Sequence, residues 1–233
     1  LFRSRGIYAN IKKAIHYLLS CNIGEMLTIF LATVLGFRQM PLEPVQLLWL
    51  NLVTDSLPAL ALGVEPVEVG VMEQPPRDAH ASLFARDFAF RLAWQGAMVG
   101  LLTLAAYFLG EYVFSSPDRA GAANTMAFAT LTLCQLFHAF DVRSERASLL
   151  QIGVFSNPAM NRAFLAGAAM QLCVLCVPPL QRVFGTVSMS GAEWAAVLAL
   201  AFAPVAVCEA VKALDRAGRR RKDARNIPAA SRP

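Results

Sequence analysis

Long apolar segments are the feature that most constrains how this chain can fold. A helix needs about 20 predominantly apolar residues to cross the hydrocarbon core of a bilayer. No stretch alternates with period two over the length of a barrel strand, so helices are the remaining way to span a membrane. The sequence therefore predicts an all-α integral membrane bundle of six transmembrane helices. The six segments run roughly over residues 15–37, 45–63, 88–110, 124–141, 160–178 and 192–211.

Composition and charge agree with a membrane protein. The chain has 233 residues, of which 56% are hydrophobic and 16% are charged. Soluble domains average about 25% charged residues. The net charge is +5, but the basic residues cluster near the ends of the apolar segments. This pattern indicates control of membrane topology and argues against a nucleic-acid partner.

The positions of lysine and arginine predict the orientation. With six crossings, 18 of the 21 basic residues lie on the side that holds both termini, and Arg38, Arg119 and Arg182 lie on the other. Because basic residues favour the cytoplasmic side, both termini are predicted to be cytoplasmic. If the protein is bacterial, the expected location is the plasma (inner) membrane. The predicted parts are a cytoplasmic start of the first helix (1–14), a six-helix membrane domain (15–211) with an inner loop (64–87), and a basic cytoplasmic tail (212–233).

The chain opens with "LFRSRGIYANIKKAIHY", without a start methionine or a signal peptide, so we expect it to be cut from a longer polypeptide. Its five cysteines lie in apolar segments, where disulfides are not expected. Cys173 and Cys176 have CxxC spacing but no second pair and no nearby histidine, which favours packing over zinc binding. His16 and His138 are likewise interpreted as packing residues.

Two carboxylates interrupt the first two apolar segments, Glu25 and Asp55. A charge at the centre of a bilayer costs about 2.5–3.5 kcal/mol on insertion scales, so it usually faces a partner or a cavity. Asn22 lies three residues before Glu25, and Asn51, Thr54 and Asp55 follow i, i+3, i+4 spacing, so each set shares a helix face. Because a short hairpin joins the two helices, we expect these faces to meet.

Pro58 adds a helix break to this cluster. It has no N–H, so the carbonyl of Thr54 loses its helical partner and becomes a possible ligand. The cluster offers amide, hydroxyl and carboxylate oxygens, which suit hard cations such as Ca²⁺. Polar residues that only join helices through hydrogen bonds are the alternative. The predicted metal ligands are Asn22, Glu25, Asn51, Thr54 and Asp55, with Gln135 as an additional candidate.

Three stretches carry a family resemblance: "SRGIYANIKKAIHYLLSCNIGE", "PVQLLWLNLVTDSLPALALGVEP" and "VMEQPPR". They resemble the C-terminal membrane region of P-type cation-transporting ATPases, most closely the sarcoplasmic-reticulum-type calcium pumps and their bacterial relatives. The resemblance is strong over residues 5–80 and weaker, mainly in the span pattern, beyond them. It implies that the chain forms helices five to ten of a ten-helix pump, with a stalk helix at its start.

The resemblance also implies roles for individual residues. Asn22, Glu25, Thr54 and Asp55 match ligands of a first calcium site, and Asn51 with the shared Asp55 matches a second. The loop with Pro75, Pro76 and Arg77 resembles the one that couples the phosphorylation domain to transport. Gln135 departs from the pattern, because reticulum-type pumps carry Glu there. A neutral amide at this position leaves open whether one or two ions bind.

The resulting hypothesis is the transport domain of an ATP-driven pump that exports calcium, with protons as counter-ions. ATP and Mg²⁺ would act through phosphorylation, nucleotide-binding and actuator domains, which the resemblance places with the first four helices elsewhere in the same polypeptide. Without the D-K-T-G-T phosphorylation motif, no catalytic residue is predicted and this chain alone is not expected to hydrolyse ATP. The alternatives are a P-type pump for Mn²⁺ or Na⁺, a secondary cation/proton exchanger, and a membrane scaffold that transports nothing.

Overall fold

The computed structural model describes residues 2–37, 39–66, 86–114, 119–144 and 147–226, and these ranges contain helices and connections without a strand. The described ranges contain two π-helical stretches: Leu50–Thr54 joins α2 to α3, and Leu109–Val113 extends α4. A short 3₁₀ turn, Val154–Ser156, precedes α7. The α-helices are α1 Phe2–Val34, α2 Pro44–Trp49, α3 Ser56–Gly63, α4 Arg86–Phe108, α5 Arg119–Val142, α6 Leu149–Ile152, α7 Pro158–Cys176, α8 Pro178–Phe184 and α9 Gly191–Asn226.

Five helical segments are long and apolar enough to cross a membrane. They coincide with five of the six predicted segments, so the all-α membrane class is confirmed for the described part of the chain. The remaining predicted segment, 124–141, is helical, as α5, but falls outside this set. The five segments are Arg5–Val34, Pro44–Gly63, Arg86–Val113, Pro158–Cys176 and Gly191–Gly218.

The helix α5 occupies the centre of the bundle. Every residue from 122 to 136 is buried, and α5 packs against α1, α4, α7 and α9. Its buried polar residues, among them Thr130, Thr132 and Gln135, therefore face other helices. They lower the hydropathy of α5 without exposing polar groups to lipid, which explains why a hydropathy criterion does not select it.

The helix boundaries differ from the predicted spans at several ends. α1 begins at Phe2 and α9 continues to Asn226, so residues 2–14 and much of the basic tail are helical. The predicted spans cover only the apolar part of each helix. Lys and Arg are good helix formers, so a helix can continue beyond its apolar part. α1 ends before Gly36, whose φ of 68° accompanies a bond from the Phe37 N–H to the Ala32 carbonyl. α7 ends at Cys176, because two prolines start α8 at residue 178.

Most of the predicted inner loop 64–87 lies outside the described residues. This includes the predicted coupling residues Pro75, Pro76 and Arg77.

α1 and α4 touch through glycine. A Cβ placed on Gly96 would lie 2.6 Å from a methyl carbon of Ile23 and 2.9 Å from the Ser20 carbonyl oxygen. A Cβ on Gly100 would lie 2.9 Å from the Gly24 carbonyl oxygen. The two helices therefore pack backbone against backbone, as small residues allow in membrane bundles. This contact fixes the part of α1 that carries Glu25, the residue after Gly24.

A buried ion pair ties the end of α3 to the connection between α5 and α7. The Arg143 guanidinium lies 2.8 Å from a carboxylate oxygen of Glu65, and it also donates to the carbonyls of Gly153 and Val154, both at 3.2 Å. The Asn157 amide donates to the second oxygen of Glu65 at 2.5 Å. Each buried charge is thus paired and hydrogen-bonded, which is the condition for tolerating it.

The Gly96 contact can be tested by Gly96→Ala. We expect a loss of about 1–3 kcal/mol in the free energy of unfolding, because the added methyl overlaps Ile23 and the Ser20 carbonyl. The matched control is Gly218→Ala in α9, where an added Cβ meets nothing within 4 Å. Thermal unfolding of both variants in detergent measures the difference. Equal unfolding temperatures would contradict the close helix contact.

Arg143→Met tests the buried ion pair. Removing one partner leaves Glu65 buried and unpaired, so we expect a destabilisation of about 3–5 kcal/mol, measured by denaturant titration in micelles. Arg162→Met is the control, because Arg162 is exposed and its Nε bonds only the carbonyl of Pro158 within its own helix. The double variant Arg143→Met/Glu65→Met should recover part of the loss. A single variant as stable as the control would show that the pair contributes nothing.

Candidate ion-binding site

Glu25 lies at the meeting point of three helical elements and is 4% exposed. Its Oε2 accepts a hydrogen bond of 2.7 Å from the side-chain amide of Asn51, in the π-helical stretch. Its Oε1 accepts one of 2.8 Å from the amide of Gln135, in α5. The structure therefore brings together three of the predicted ligands from three separate parts of the sequence.

Asp55 lies beside this group and is 1% exposed. Its Oδ1 accepts a hydrogen bond of 3.2 Å from the Tyr17 hydroxyl, and its Oδ2 has no hydrogen-bond partner among the described residues. The Glu25 carboxylate and the Cys21 thiol are further polar groups beside it. A buried carboxylate oxygen without a donor is energetically costly, so a cation at this position would stabilise it.

The backbone beside Asp55 is a π-helix. The Asp55 N–H bonds the carbonyl of Leu50, five residues back, at 2.9 Å. After the buried Pro58, the Ala59 N–H bonds the Asp55 carbonyl at 3.2 Å, so α-helical bonding resumes there. The sequence predicted a break at the Thr54 carbonyl, and the irregular stretch starts four residues earlier, at Leu50. Single-turn π-helices occur frequently at functional sites.

Two predicted ligands make hydrogen bonds within their own helices. The Asn22 amide donates to the Leu18 carbonyl at 2.8 Å, and the Thr54 hydroxyl donates to the Leu50 carbonyl at 3.0 Å. The structure records no hydrogen bond from either of them to Glu25 or Asp55. Asn22 is half-buried and Thr54 is fully buried. Their part in a cation site stays a prediction.

Sequence reasoning missed Tyr17 and Cys21. Both are fully buried on α1, and Tyr17 bonds Asp55 directly. Tyr17, Cys21 and Glu25 are four residues apart, which places them along one face of a helix. This spacing was available in the sequence, but tyrosine and cysteine in an apolar segment do not by themselves indicate a polar site.

The side-chain amides determine what this site can bind. Asn51 and Gln135 each donate a hydrogen bond from the side-chain NH₂ group to Glu25. The amide oxygen of Gln135 is buried and has no hydrogen-bond partner among the described residues. Rotating either amide by half a turn would present an oxygen instead. The same residues can therefore either donate hydrogen bonds to Glu25 or add neutral oxygens to two carboxylates, which is the ligand set of a hard cation.

The comparisons with known proteins agree with this chemistry. The sequence matches the family described as "Cation transporting ATPase, C-terminus" over residues 39–214. It is 42% identical over 221 residues to Calcium-transporting ATPase 1 of Bacillus cereus, a match that covers 89% of this chain and 25% of that protein. It is 40% identical over 200 residues to the Calcium-transporting ATPase of Bacillus subtilis, covering 86% of this chain and 22% of that protein.

A more distant match is Calcium-transporting ATPase type 2C member 1 of Homo sapiens, 33% identical over 214 residues, covering 91% of this chain and 23% of that protein. The chain thus spans about a quarter of the length of the curated relatives it matches. The resemblance to P-type cation-transporting ATPases is confirmed. The family match extends from the hairpin before α2 to within α9. The chain therefore belongs to the family of cation-transporting ATPases, of which it matches the C-terminal part.

Proposed function

We propose that this chain is the transmembrane transport domain of an ATP-driven pump that exports calcium from the cytoplasm. The observation that carries the proposal is the pair of buried carboxylates, Glu25 and Asp55. Glu25 is held by amides from two other helical elements, and Asp55 keeps an oxygen without a donor. Two carboxylates balance the charge of one divalent cation. The relatives named as calcium-transporting ATPases support calcium over Mn²⁺ or Na⁺.

Six helices cross the membrane in this proposal, with α5 as the central one. α5 has 24 residues, which at 1.5 Å per residue is about 36 Å, enough for a hydrocarbon core of about 30 Å. The burial of every residue from 122 to 136 makes high hydropathy unnecessary. Six crossings also place both termini and most basic residues on the cytoplasmic side of a plasma membrane.

The proposed ligands are Glu25 and Asp55 with neutral oxygens from their neighbours. A calcium ion would replace the hydrogen bonds that Glu25 now accepts, and the amides of Asn51 and Gln135 would turn their oxygens towards it. Asn22 and Thr54 would join by releasing the carbonyls of their own helices. The π-helical stretch is the element suited to move, because its backbone bonding differs from that of α2 and α3. Protons would occupy the carboxylates when the ion leaves.

ATP and Mg²⁺ would act through other domains of the same polypeptide. The loop that contains Pro75, Pro76 and Arg77 is proposed to contact the phosphorylation domain and to couple it to transport. This chain by itself would bind the ion without hydrolysing ATP. Membership in the family of cation-transporting ATPases favours this pump over a secondary exchanger or a scaffold.

Asp55→Asn tests the proposed function. In the full-length protein, we expect ATP-driven uptake of radioactive calcium into inverted vesicles to fall by about tenfold or more, because the charge count of the ligands sets calcium affinity. Asp87→Asn is the matched control, since Asp87 is an exposed carboxylate at the start of α4. Unchanged uptake by Asp55→Asn would show that the carboxylate is not a ligand.

Gln135→Glu tests the role of α5 in the site. The new carboxylate would lie about as close to Glu25 as the present amide, whose nitrogen is 2.8 Å away, so the two charges would repel in the absence of an ion. We expect a lower unfolding temperature in chelator and a larger rise on adding Ca²⁺ than in the unmodified protein.

The matched control for this test is Gln171→Glu. Gln171 is also a fully buried glutamine, but it lies on α7 and accepts from the Trp49 indole at 3.1 Å. Its replacement should lower the unfolding temperature without any recovery on adding Ca²⁺. Equal responses of the two variants to Ca²⁺ would exclude Gln135 from the site.

A further inference from the structure

A second polar cluster lies between α5 and α9 and shares no residue with the proposed calcium site. It consists of His138, Asp141 and Cys208, and one potential ligand atom from each lies within 4.8 Å of the other two. All three side chains are buried, at 0%, 3% and 2% exposure. Asp141 follows Gln135 by six residues, about 9 Å along the axis of α5.

A hydrogen bond to Ser20 holds Nε2 of His138. The Ser20 hydroxyl oxygen lies 3.2 Å from Nε2 and 2.9 Å from the Tyr17 carbonyl oxygen, to which it can donate. In the tautomer that carries its proton on Nε2, the Ser20 oxygen accepts from Nε2 and Nδ1 keeps its lone pair. A hydrogen bond that fixes the non-ligating nitrogen is typical of metal-binding histidines.

Nδ1 of His138 faces a carboxylate. Nδ1 lies 3.8 Å from Asp141 Oδ2, and neither this nitrogen nor either carboxylate oxygen has a hydrogen-bond partner among the described residues. At this distance the two groups are too far apart to hydrogen-bond each other in either tautomer. A positive charge between them would satisfy both buried groups.

The nearby Lys212 does not supply this charge directly. Its Nζ donates to the backbone carbonyl of Asp141 at 3.0 Å and pairs with Glu209 at 3.3 Å. The ammonium group is thus partnered by a carbonyl and by another carboxylate. The side chain of Asp141 stays without a hydrogen bond from it.

Cys208 adds sulfur to the nitrogen and oxygen of the other two residues. Its Sγ lies 3.7 Å from the side-chain amide nitrogen of Gln95. The amide oxygen of Gln95 is hydrogen-bonded to His16. A mixed nitrogen, oxygen and sulfur set suits Zn²⁺ and chemically similar ions, whereas Ca²⁺ takes oxygen ligands. Tetrahedral zinc requires ligand atoms about 3.3–3.6 Å apart, so the present atoms need to move inward by about 1 Å or less.

A cavity of about 50 Å³ adjoins the cluster. Asp141 and Cys208 line it, whereas His138 does not, and it extends to the exposed Asp215. The basic residues Arg91 and Lys212 also line it. A single water molecule needs about 10–15 Å³, so the cavity has room for a water as fourth ligand and for the entry of an ion.

We propose that His138 Nδ1, the Asp141 carboxylate and Cys208 Sγ form a binding site for a divalent transition-metal ion of the Zn²⁺ type. The bound ion links α5 to α9 and holds the two helices together. The site is independent of the all-oxygen site at Glu25 and Asp55. From the sequence, His138 and Cys208 are interpreted as packing residues, because His138 lies near the end of an apolar segment and Cys208 lies within one.

The first experiment measures Zn²⁺ binding to the purified full-length protein, stripped with a chelator and kept in excess Ca²⁺. We expect one bound Zn²⁺ that Ca²⁺ does not displace, and a rise in unfolding temperature on binding. Cys208→Ser and Asp141→Asn should each weaken binding by about tenfold or more. Cys134→Ser is the matched control, because Cys134 is a buried cysteine of α5 outside the cluster. No bound Zn²⁺, or equal loss in the control, overturns the proposal.

The second experiment replaces Zn²⁺ by Co²⁺ and records the absorption spectrum. We expect a thiolate-to-cobalt charge-transfer band that persists in the double variant Cys173→Ser/Cys176→Ser and disappears in Cys208→Ser. The band of the unmodified protein is informative even if a cluster variant fails to fold, and its absence overturns the proposal. Asp55→Asn should keep the band, which separates this site from the proposed calcium site. Loss of the band in Asp55→Asn would place the ion at that site instead.

Discussion

The hydrogen bonds that Glu25 accepts from Asn51 and Gln135 are the interaction on which the candidate site depends. They join α1, the π-helical stretch and α5, and they satisfy a carboxylate that membrane burial would otherwise penalise. The glycine contact between α1 and α4 sets the position of Glu25, since Gly24 precedes it. Backbone packing and ligand geometry are therefore coupled, and a shift of α1 changes both.

The central position of α5 explains why polarity and membrane burial coexist in this chain. α5 contributes Gln135 to the proposed calcium site, and His138 and Asp141 to the proposed zinc-type site. A helix surrounded by other helices can carry such groups, because none of them faces lipid. The outer helices carry the apolar surface instead, and they are the ones that meet the hydropathy criterion.

Much of the fold and part of the site follow from local pattern. Apolar segment length predicted all the long helices, but not the start of α1 or the end of α9, which extend beyond the apolar segments. Side-chain spacing placed Glu25 and Asp55 on helix faces that could meet. The π-helical stretch was predicted only in part. Pro58 indicates a break in the helix, but the start of the stretch at Leu50 depends on the hydrogen bond from the Asp55 N–H to the Leu50 carbonyl. Tyr17 was missed, since its hydroxyl becomes a polar partner of Asp55 only once α1 and α3 are packed together.

The sequence by itself determined the all-α membrane class, the approximate spans and the oxygen chemistry of the proposed calcium site, because periodicity, length and residue type are local properties. Only the tertiary structure decided which polar groups share a partner. It paired Gln135 with Glu25, left Asn22 and Thr54 bonded to their own helices, and brought Cys208 to His138 across 70 residues. The physical reason is that a buried polar group takes whichever partner packing places within reach, and packing depends on the whole chain.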